Sequence, residues 1–150
     1  MRLIVGYRKL LNVTESATLS ELKSAYRNLM KDWHPDKFAE DAILLQEAEE
    51  KSKKIIQAYH FLVSISAETI TKTIDAYTDT INNAAIVDFE YKSEVLRVVF
   101  ADDTEYEYYG VPKATYVKLV NAETPQRFAR RHIFQSFVYR STSKLVSSPA

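Results

Sequence analysis

His34, Pro35 and Asp36 place an imidazole and a carboxylate on either side of a rigid proline ring. Side chains of these types can serve acid–base chemistry or recognise a partner through hydrogen bonds and charge. Proline disfavours the α conformation in the residue before it, so a preceding helix is predicted to end at His34. We therefore expect His34 and Asp36 to face solvent on a short, stiffened loop. The tripeptide alone is weakly specific, and its meaning depends on the elements that flank it.

No catalytic or metal-binding set accompanies this tripeptide in the sequence. The other histidines, His60 and His132, are predicted in a helix and at a helix end, without the spacing of a ligand pair. Asp102 and Asp103 are adjacent carboxylates, but a turn between two strands explains them better. The chain has two glycines and no glycine-rich phosphate loop. We therefore expect no enzymatic activity of its own, no metal and no cofactor.

Three helices are predicted around the tripeptide. The first covers about residues 4–11, with Asn12 in the left-handed position that closes many helices. The second begins after Thr18, which can form a capping box with Glu21. The third covers about residues 41–64. Because a short loop joins the second and third helices, we expect them to pack antiparallel and to leave the tripeptide at the exposed tip.

The second helix is predicted to be amphipathic. Apolar residues recur every three or four positions and form one buried stripe, namely Leu22, Ala25, Tyr26, Leu29 and Trp33. Another face carries a basic row, namely Lys23, Arg27 and Lys31. In a helix without context, such a row is more often a solvated face than a binding site.

Four segments of the first 65 residues carry a family pattern. They read Tyr7-x-x-Leu10-Leu11-Asn12-Val13, Ala25-Tyr26-Arg27-x-Leu29, His34-Pro35-Asp36-Lys37 and Ala48-Glu49-Glu50-Lys51-x-Lys53-x-Ile55-x-x-Ala58-Tyr59-x-x-Leu62. In this order and spacing they resemble a J domain, the module of DnaJ-like co-chaperones. The resemblance implies binding to a 70-kDa heat-shock chaperone of the DnaK type and stimulation of its ATP hydrolysis. It assigns that binding to His34, Pro35, Asp36, Lys23, Tyr26, Arg27, Lys31 and Lys37.

Three features depart from the usual J-domain pattern. Asp32 stands where a basic residue is common, which is expected to weaken docking. Ser52 stands where a phenylalanine is usually buried, which is expected to lower the stability of the helical hairpin. The usual basic fourth helix is missing. Residues 66–84, which are rich in threonine, are predicted to form a linker with at most one irregular helix.

From residue 85 the apolar pattern changes from helical to alternating. Three strands are predicted, with inward residues Val87, Phe89 and Tyr91, then Leu96, Val98 and Phe100, then Tyr106 and Tyr108. Short turns imply an antiparallel meander. One helix is predicted from Pro112 to about Asn121, and a second opens at Thr124-Pro125 and ends near His132. The inward residues of the first are Tyr116, Leu119 and Val120, and Phe137 and Tyr139 are expected to cover the remaining sheet edge.

A second family pattern lies in residues 86–140. The matching positions are Tyr106-Glu107-Tyr108, Val111-Pro112, Tyr116, Asn121-Ala122, Phe128, Arg131-His132-Ile133 and Tyr139-Arg140. They resemble the KTSC domain, named for its occurrence at the C-terminus of some lysyl-tRNA synthetases. Gln126 departs from a glycine common near that point, so the second helix is expected to start differently. RNA binding has been suggested for this family.

Charge is divided unevenly along the C-terminal half. Residues 85–112 hold seven acidic and two basic residues, whereas residues 113–150 hold seven basic residues and one acidic residue, Glu123. Basic groups beside aromatic rings are typical of single-strand nucleic-acid binding. The candidate residues are Tyr106, Tyr108, Lys118, Arg127, Arg130 and Arg131. The alternative is that the tyrosines belong to the core and the arginines pair with the acidic strands. This alternative is favoured because strand residues of one parity usually face the helices.

The whole chain of 150 residues has 20 basic and 20 acidic residues, so only local patches can indicate a partner. The absence of cysteine suits a reducing compartment. The N-terminal segment lacks the apolar run of a signal peptide, and no stretch approaches the roughly 18–20 apolar residues of a membrane span. We therefore expect a cytoplasmic protein with no membrane partner.

The sequence thus predicts a multi-domain protein. It comprises an all-α J domain with three helices (residues 1–65), a linker (66–84), a small α+β domain with a three-stranded antiparallel meander and two helices (85–142), and a disordered tail (143–150). The leading hypothesis is a co-chaperone whose C-terminal domain selects an unknown client or site. The alternative is an RNA- or ribosome-associated binding protein that acts through its basic C-terminal domain.

Overall fold

A computed structural model describes residues 2–142 of the chain. They form two compact units that meet in sequence between Thr69 and Ile70, and each is described by itself. The predicted disordered tail lies outside the described residues. The elements are α1 (Arg2–Leu11), α2 (Leu19–Trp33), a 3-10 turn (Pro35–Phe38), α3 (Ala42–Ile65), α4 (Ala67–Asn83), β1 (Ile86–Lys92), β2 (Val95–Phe100), β3 (Glu105–Tyr109), α5 (Lys113–Asn121), α6 (Pro125–His132) and β4 (Val138–Ser141). The predicted fold class, a helical region followed by an antiparallel sheet with helices, is confirmed.

The helix ends of the N-terminal unit (residues 2–69) form from the local signals in the sequence. Asn12 follows α1 with a φ of 55°, in the left-handed region. The Thr18 hydroxyl accepts the Glu21 N–H at 3.1 Å, and the Glu21 carboxylate accepts the Thr18 N–H at 3.3 Å, which completes the predicted capping box. His34 is extended, with ψ at 131°, because Pro35 follows it. These signals place α2 where it was predicted.

The core of the N-terminal unit is built mainly on α3. Its buried residues are Ala48, Ser52, Ile55, Ala58, Phe61, Leu62 and Val63. α1 contributes Ile4 and Leu11 to the buried set, and α2 contributes Leu22. The Ser52 hydroxyl donates to the carbonyl of Glu49 at 3.1 Å, so this polar residue is buried without an unpaired donor. The expected loss of hairpin stability at Ser52 stays a prediction.

The segment predicted as a linker forms a regular helix, α4, over Ala67–Asn83. Tyr77 and Ile81, four residues apart on one face, are buried in the core of the C-terminal unit (residues 70–142). The linker prediction was wrong. It rested on the low intrinsic helix propensity of threonine, whereas most helical stability in proteins comes from packing an apolar face. The boundary of the α+β domain predicted at residue 85 stays a prediction.

The sheet has four antiparallel strands in the order β1-β2-β3-β4, one more than predicted. The additional strand, β4, pairs with β3 and places Tyr139 opposite Tyr108. Its four residues are too few to show a sustained alternation, and the free edge of β3 offers them backbone hydrogen bonds. The expectation that Tyr139 covers this edge is confirmed.

A bulge in β1 changes which of its residues face the core. The register with β2 shifts between Ile86 and Asp88. Such a shift moves side chains to the opposite face. As a result Ile86 packs against the core and Val87 is exposed, so the inward assignment of Val87 was wrong. Phe89 and Tyr91, beyond the bulge, pack inward as predicted.

α5 begins one residue later than predicted, with Pro112 as its N-cap residue. Tyr116 and Leu119 pack against the sheet. Val120 is exposed, and its inward assignment was wrong. The inward stripe of this nine-residue helix is narrow, and Val120 lies about 100° around the axis from Leu119.

α6 begins after Thr124, with Pro125 at its first position, as predicted. Gln126 stands where the resemblance leads one to expect glycine. Its side-chain amide donates to the carbonyl of Ala84 at 2.5 Å and its side-chain oxygen accepts the N–H of Ile86 at 3.3 Å. Gln126 thus joins α6 to the chain that enters β1.

Candidate functional site

The tripeptide of His34, Pro35 and Asp36 lies between α2 and α3 and opens the 3-10 turn. The Asp36 backbone N–H donates to His34 Nδ1 at 3.2 Å, which caps the turn. A backbone N–H can only donate, so Nδ1 is unprotonated in this arrangement and the neutral ring carries its proton on Nε2. We call residues 34–37 the HPD loop.

The polar side chains of the HPD loop are open to solvent. The side chain of His34 is 52% exposed and that of Asp36 is 91% exposed. Asp36 Oδ2 lies 3.5 Å from His34 Nδ1. This contact is an ion pair only when the imidazole is protonated. Lys37 is exposed and Pro35 is half-buried. The carboxylate of Asp36 is therefore accessible to a partner.

Two aromatic rings and one ammonium group brace the HPD loop. Trp33 and Phe38, on either side of it, have ring centroids 6.3 Å apart. Lys51 of α3 places Nζ 5.5 Å from the centroid of the Trp33 ring, in cation–π geometry. The two aromatic residues that flank the loop in the sequence are a signal from which the contact between Trp33 and Phe38 could be predicted. Lys51 had no such signal, because its position over Trp33 depends on how α3 packs.

The predicted basic row lies on one exposed side of α2. Lys23, Arg27 and Lys31 are all exposed and are spaced so that they neighbour one another on the helix surface. None of them forms a salt bridge with another described residue. Asp32 is exposed as well, directly after Lys31. The structure thus brings an unpaired cationic face to the end of α2 from which the HPD loop starts.

Tyr26, which the resemblance also assigned to chaperone binding, is only half-buried. Its ring stacks on Tyr59 of α3, with centroids 4.3 Å apart and an interplanar angle of 18°. One face of the Tyr26 ring therefore joins the two helices. The rest of the Tyr26 side chain stays accessible. In the sequence of α2, Tyr26 lies between two residues of the basic row, Lys23 and Arg27.

The aromatic part of the predicted nucleic-acid surface lies in the core of the C-terminal unit. Tyr106 is 4% exposed and Tyr108 is 0% exposed. Tyr77 donates to the carbonyl of Phe134 at 2.5 Å, so the Tyr108 hydroxyl donates to that of Tyr77 at 2.9 Å. Burial raises the pKa of Tyr108 well above its ordinary value. Neither ring can stack on a base, and this assignment was wrong because this parity of β3 faces the helices.

Arg130, one of the predicted phosphate ligands, holds the end of α4 instead. Its Nε donates to the carbonyl of Ile81 at 3.1 Å and its Nη2 donates to that of Asn82 at 3.2 Å. The last carbonyls of a helix have no partner within the helix, so these bonds act as a cap. Arg130 therefore has a structural role.

The other three predicted phosphate ligands, Lys118, Arg127 and Arg131, are exposed. Within residues 2–142 none of them forms a salt bridge. The acidic strands pair with a different residue, because Arg97 of β2 forms salt bridges of 2.7 Å with Glu90 and 2.6 Å with Glu105. The alternative interpretation, in which the arginines of α6 pair with the strands, is thus not what the structure shows.

The adjacent carboxylates Asp102 and Asp103 lie in the turn between β2 and β3. Asp102 accepts hydrogen bonds from the backbone and hydroxyl of Thr104 and from the hydroxyl of Thr80. Burial by itself would raise the pKa of Asp102, but these bonds outweigh it and hold the pKa below its ordinary value. Among residues 2–142, no group of three His, Cys, Asp or Glu side chains is placed to hold a metal ion, and no helix there is long and apolar enough to cross a membrane.

Comparison with known families assigns both halves of the chain. The sequence model of the DnaJ domain matches residues 7–69, and that of the KTSC domain matches residues 82–137. The chain carries a DnaJ domain followed by a KTSC domain. The HPD loop and the basic row lie in the DnaJ domain, and Lys118, Arg127 and Arg131 lie in the KTSC domain. Both resemblances drawn from the sequence are thereby confirmed.

The chain is also similar to curated chaperone proteins named DnaJ. The chain is 50% identical over 56 residues to the Chaperone protein DnaJ of Thermoplasma acidophilum, which covers 37% of this chain and 14% of that protein. It is 36% identical over 98 residues to the Chaperone protein DnaJ of Hydrogenobacter thermophilus, covering 65% of this chain and 25% of that protein. It is 43% identical over 72 residues to the Chaperone protein DnaJ of Mesomycoplasma hyopneumoniae, which covers 47% of this chain and 19% of that protein. The chain thus spans at most a quarter of the length of these relatives.

Proposed function

We propose that this protein is a co-chaperone whose DnaJ domain binds a 70-kDa heat-shock chaperone of the DnaK type and stimulates its ATP hydrolysis. The observation that carries the proposal is the HPD loop, exposed and capped at the end of α2. The similarity to chaperone proteins named DnaJ supports it. In this proposal the protein has no enzymatic activity of its own, and hydrolysis takes place in its partner.

The charges of the DnaJ domain suit a partner of mixed charge. Lys23, Arg27 and Lys31 have no described carboxylate partner, so their full charge is available to an acidic groove. At the end of this face, Asp36 offers a carboxylate to a cationic group. Because all four groups are exposed, salt should screen their attraction, with a Debye length of about 8 Å at physiological ionic strength.

The test is the steady-state ATPase rate of a DnaK-type chaperone with and without the purified full chain. We expect stimulation by the wild type and none by Asp36→Asn, with thermal melts of the two proteins unchanged because Asp36 is exposed. Asp75→Asn removes the same charge from an exposed position of α4 and should stimulate as the wild type does. Equal stimulation by Asp36→Asn and the wild type would contradict the proposal.

We propose that the KTSC domain directs the DnaJ domain to a client protein or a site in the cytoplasm. A pull-down from cell extract with the full chain and with His34→Gln separates the two domains. Loss of the chaperone from the variant, with other partners retained, supports separate roles. Loss of all partners together would mean that the KTSC domain does not recruit them. Microscopy of a fluorescent fusion tests the location.

A second candidate function is RNA binding by the KTSC domain. It is favoured by one observation: Lys118, Arg127 and Arg131 are exposed and form no salt bridge within residues 2–142. If these groups contact phosphates, removing one contact should flatten the slope of log K against log salt by about 0.7 for single strands. Arg127→Gln and Arg131→Gln should each show this change, whereas Arg130→Gln should not. The absence of RNA binding by the full chain at low salt would remove this candidate.

A further inference from the structure

β1 is an edge strand of the sheet. It pairs with β2 on one side, and no strand of residues 2–142 pairs with its other side. The hairpin between β1 and β2 turns at Ser93 and Glu94, whose φ angles of 51° and 64° are those of a two-residue type I′ turn. Such a turn closes on a hydrogen-bonded pair, here Lys92 and Val95.

The backbone groups that face the free side of β1 follow from this turn. Bonded and non-bonded pairs alternate along an antiparallel ladder, so Phe89 and Tyr91 direct their N–H and C=O groups away from β2. The Phe89 N–H agrees with this, because it donates to Oδ1 of Asp88 at 2.9 Å. The Tyr91 N–H has no partner among residues 2–142 on that side. The free side therefore offers one N–H donor and the carbonyls of Phe89 and Tyr91.

An apolar surface of α5 lies beside these backbone groups. The Tyr116 ring stacks on the Tyr91 ring with centroids 4.4 Å apart, so this side of α5 lies over β1. Val120 lies about 40° around the helix axis from Tyr116, on the side away from the buried Leu119. The side chain of Val120 is 49% exposed. A strand added beside β1 would place the side chains of its inner face against Tyr116 and Val120.

The opposite face of β1 is acidic. Asp88 and Glu90 alternate with the inward residues of β1, so they point away from α5, and both are exposed. Asp88 forms no salt bridge with another described residue, and Glu90 is 64% exposed although it is bonded to Arg97. Lys92, at the turn, is the one cation on this face of the strand. Because opposite charges across neighbouring strands attract and carboxylates repel phosphates, this edge suits a protein segment with basic residues rather than a nucleic acid.

We propose that β1 binds an extended segment of a client protein as an additional strand, with apolar side chains toward α5 and basic side chains toward Asp88 and Glu90. This inference rests on the proposed role of the KTSC domain in directing the DnaJ domain to a client, and it names the chemical class of the client segment. The backbone of the segment accepts from the Tyr91 N–H and donates to the outward carbonyls. These bonds supply affinity for any extended chain, while Val120 and the two carboxylates select the alternation of apolar and basic residues.

The experiment titrates an end-capped heptapeptide that alternates valine and lysine into the full chain. We expect bound peptide to slow hydrogen exchange of the Tyr91 amide roughly 10-fold at saturation. Val120→Ser and Asp88→Asn should each weaken binding roughly 2- to 5-fold, as for the loss of one cross-strand contact. The controls are Val5→Ser on α1 and Asp75→Asn on α4, which remove an exposed valine and an exposed carboxylate elsewhere and should leave binding unchanged.

Two altered peptides test the mode of binding. A peptide with proline at alternate positions lacks the N–H donors that β1 requires, and it should bind roughly 10-fold more weakly or worse. A peptide with glutamate in place of lysine should also bind more weakly than the lysine peptide at low salt. The difference between the glutamate and lysine peptides should shrink at about 1 M salt, where the Debye length is about 3 Å.

Equal binding of the proline peptide, or an unprotected Tyr91 amide in the bound state, would show that the peptide does not add to β1. No binding at about 1 mM peptide, where a binding free energy of about −4 kcal/mol is detected, would also overturn the proposal. Protection of the Tyr91 amide without peptide, growing with protein concentration, would show that a second copy of the chain occupies this edge instead.

These measurements involve neither the chaperone nor a cell extract, so their failure can be told apart from failure of the proposed function. If the peptide does not bind while His34→Gln still recovers partners from extract, the KTSC domain recruits clients through another surface. In that case the strand-addition proposal is wrong and the targeting role stands.

Discussion

The hydroxyl of Thr80 on α4 donates a 2.7 Å hydrogen bond to Oδ2 of Asp102, in the turn between β2 and β3. Thr80 is buried, and the other carboxylate oxygen of Asp102 accepts from Thr104. A helix that the sequence suggested as a linker is thereby bonded to the sheet of the KTSC domain. The bond also makes stability depend on pH.

Thr80→Val should lower the free energy of unfolding of the C-terminal unit by about 1 kcal/mol at about pH 7. The pKa of Asp102 is lower in the folded chain than its ordinary value. The ionised carboxylate therefore stabilises the fold above the unfolded pKa of about 3.9, and this contribution is lost as the pH falls through the folded pKa. Urea unfolding followed by amide signals of residues 86–109 should show the difference between variant and wild type narrowing only below about pH 4. A constant difference down to about pH 2 would contradict this account.

Lys51→Met should loosen the surroundings of Trp33, the only tryptophan in the chain. The substitution removes the ammonium group that lies 5.5 Å from the ring centroid. A cation–π interaction at an exposed site is worth about 0.5–1 kcal/mol. Acrylamide should quench Trp33 fluorescence more strongly in Lys51→Met than in the wild type. Lys51→Arg should restore the wild-type quenching, and Lys53→Met, on an exposed face of α3, should leave it unchanged. Equal quenching in all four proteins would exclude the brace.

Asp32→Lys should strengthen binding to a DnaK-type chaperone. It adds positive charge beside Lys31, where Asp32 now reduces it, and exposed charge pairs are worth about 0.2–1 kcal/mol. Titrations should show a lower Kd for the variant at low salt and no difference at about 1 M salt, where the Debye length is about 3 Å. Asp75→Lys makes the same charge change on α4 and controls for net charge. A Kd that does not depend on salt would count against the basic row as the contact.

Tyr108→Ala should destabilise the KTSC domain by about 3–5 kcal/mol, as for other large aromatic residues removed from a core. Tyr108→Phe keeps the ring and removes only the hydroxyl that donates to Tyr77, so it should cost about 1 kcal/mol. Chemical denaturation of both variants, followed by amide signals of β2 and β3, measures the two losses. Wild-type stability of Tyr108→Ala would show that the ring lies outside the core.

Much of the DnaJ domain could be predicted from the sequence because its signals act over a few residues. Thr18 and Glu21 cap α2 from within one helical turn, and Pro35 ends that helix by acting on its immediate neighbour. Because these signals fix where α2 begins and ends, the exposed HPD loop after it could be predicted. Such interactions are the same in any context, so residue types and spacing were sufficient. Lys51 escaped prediction because it meets Trp33 only after α3 has packed.

In the C-terminal half the sequence by itself determined β1, β2, β3, α5 and α6, but it determined neither α4 and β4 nor which faces are buried. Alternation in β3 shows that Tyr106 and Tyr108 share a side, yet it does not say whether helices or solvent cover that side. Packing of α4, through Tyr77, decided that they are core. One extra residue in β1 likewise exposed Val87. Only the tertiary structure could decide these points, because burial of a face depends on which distant segment lies against it.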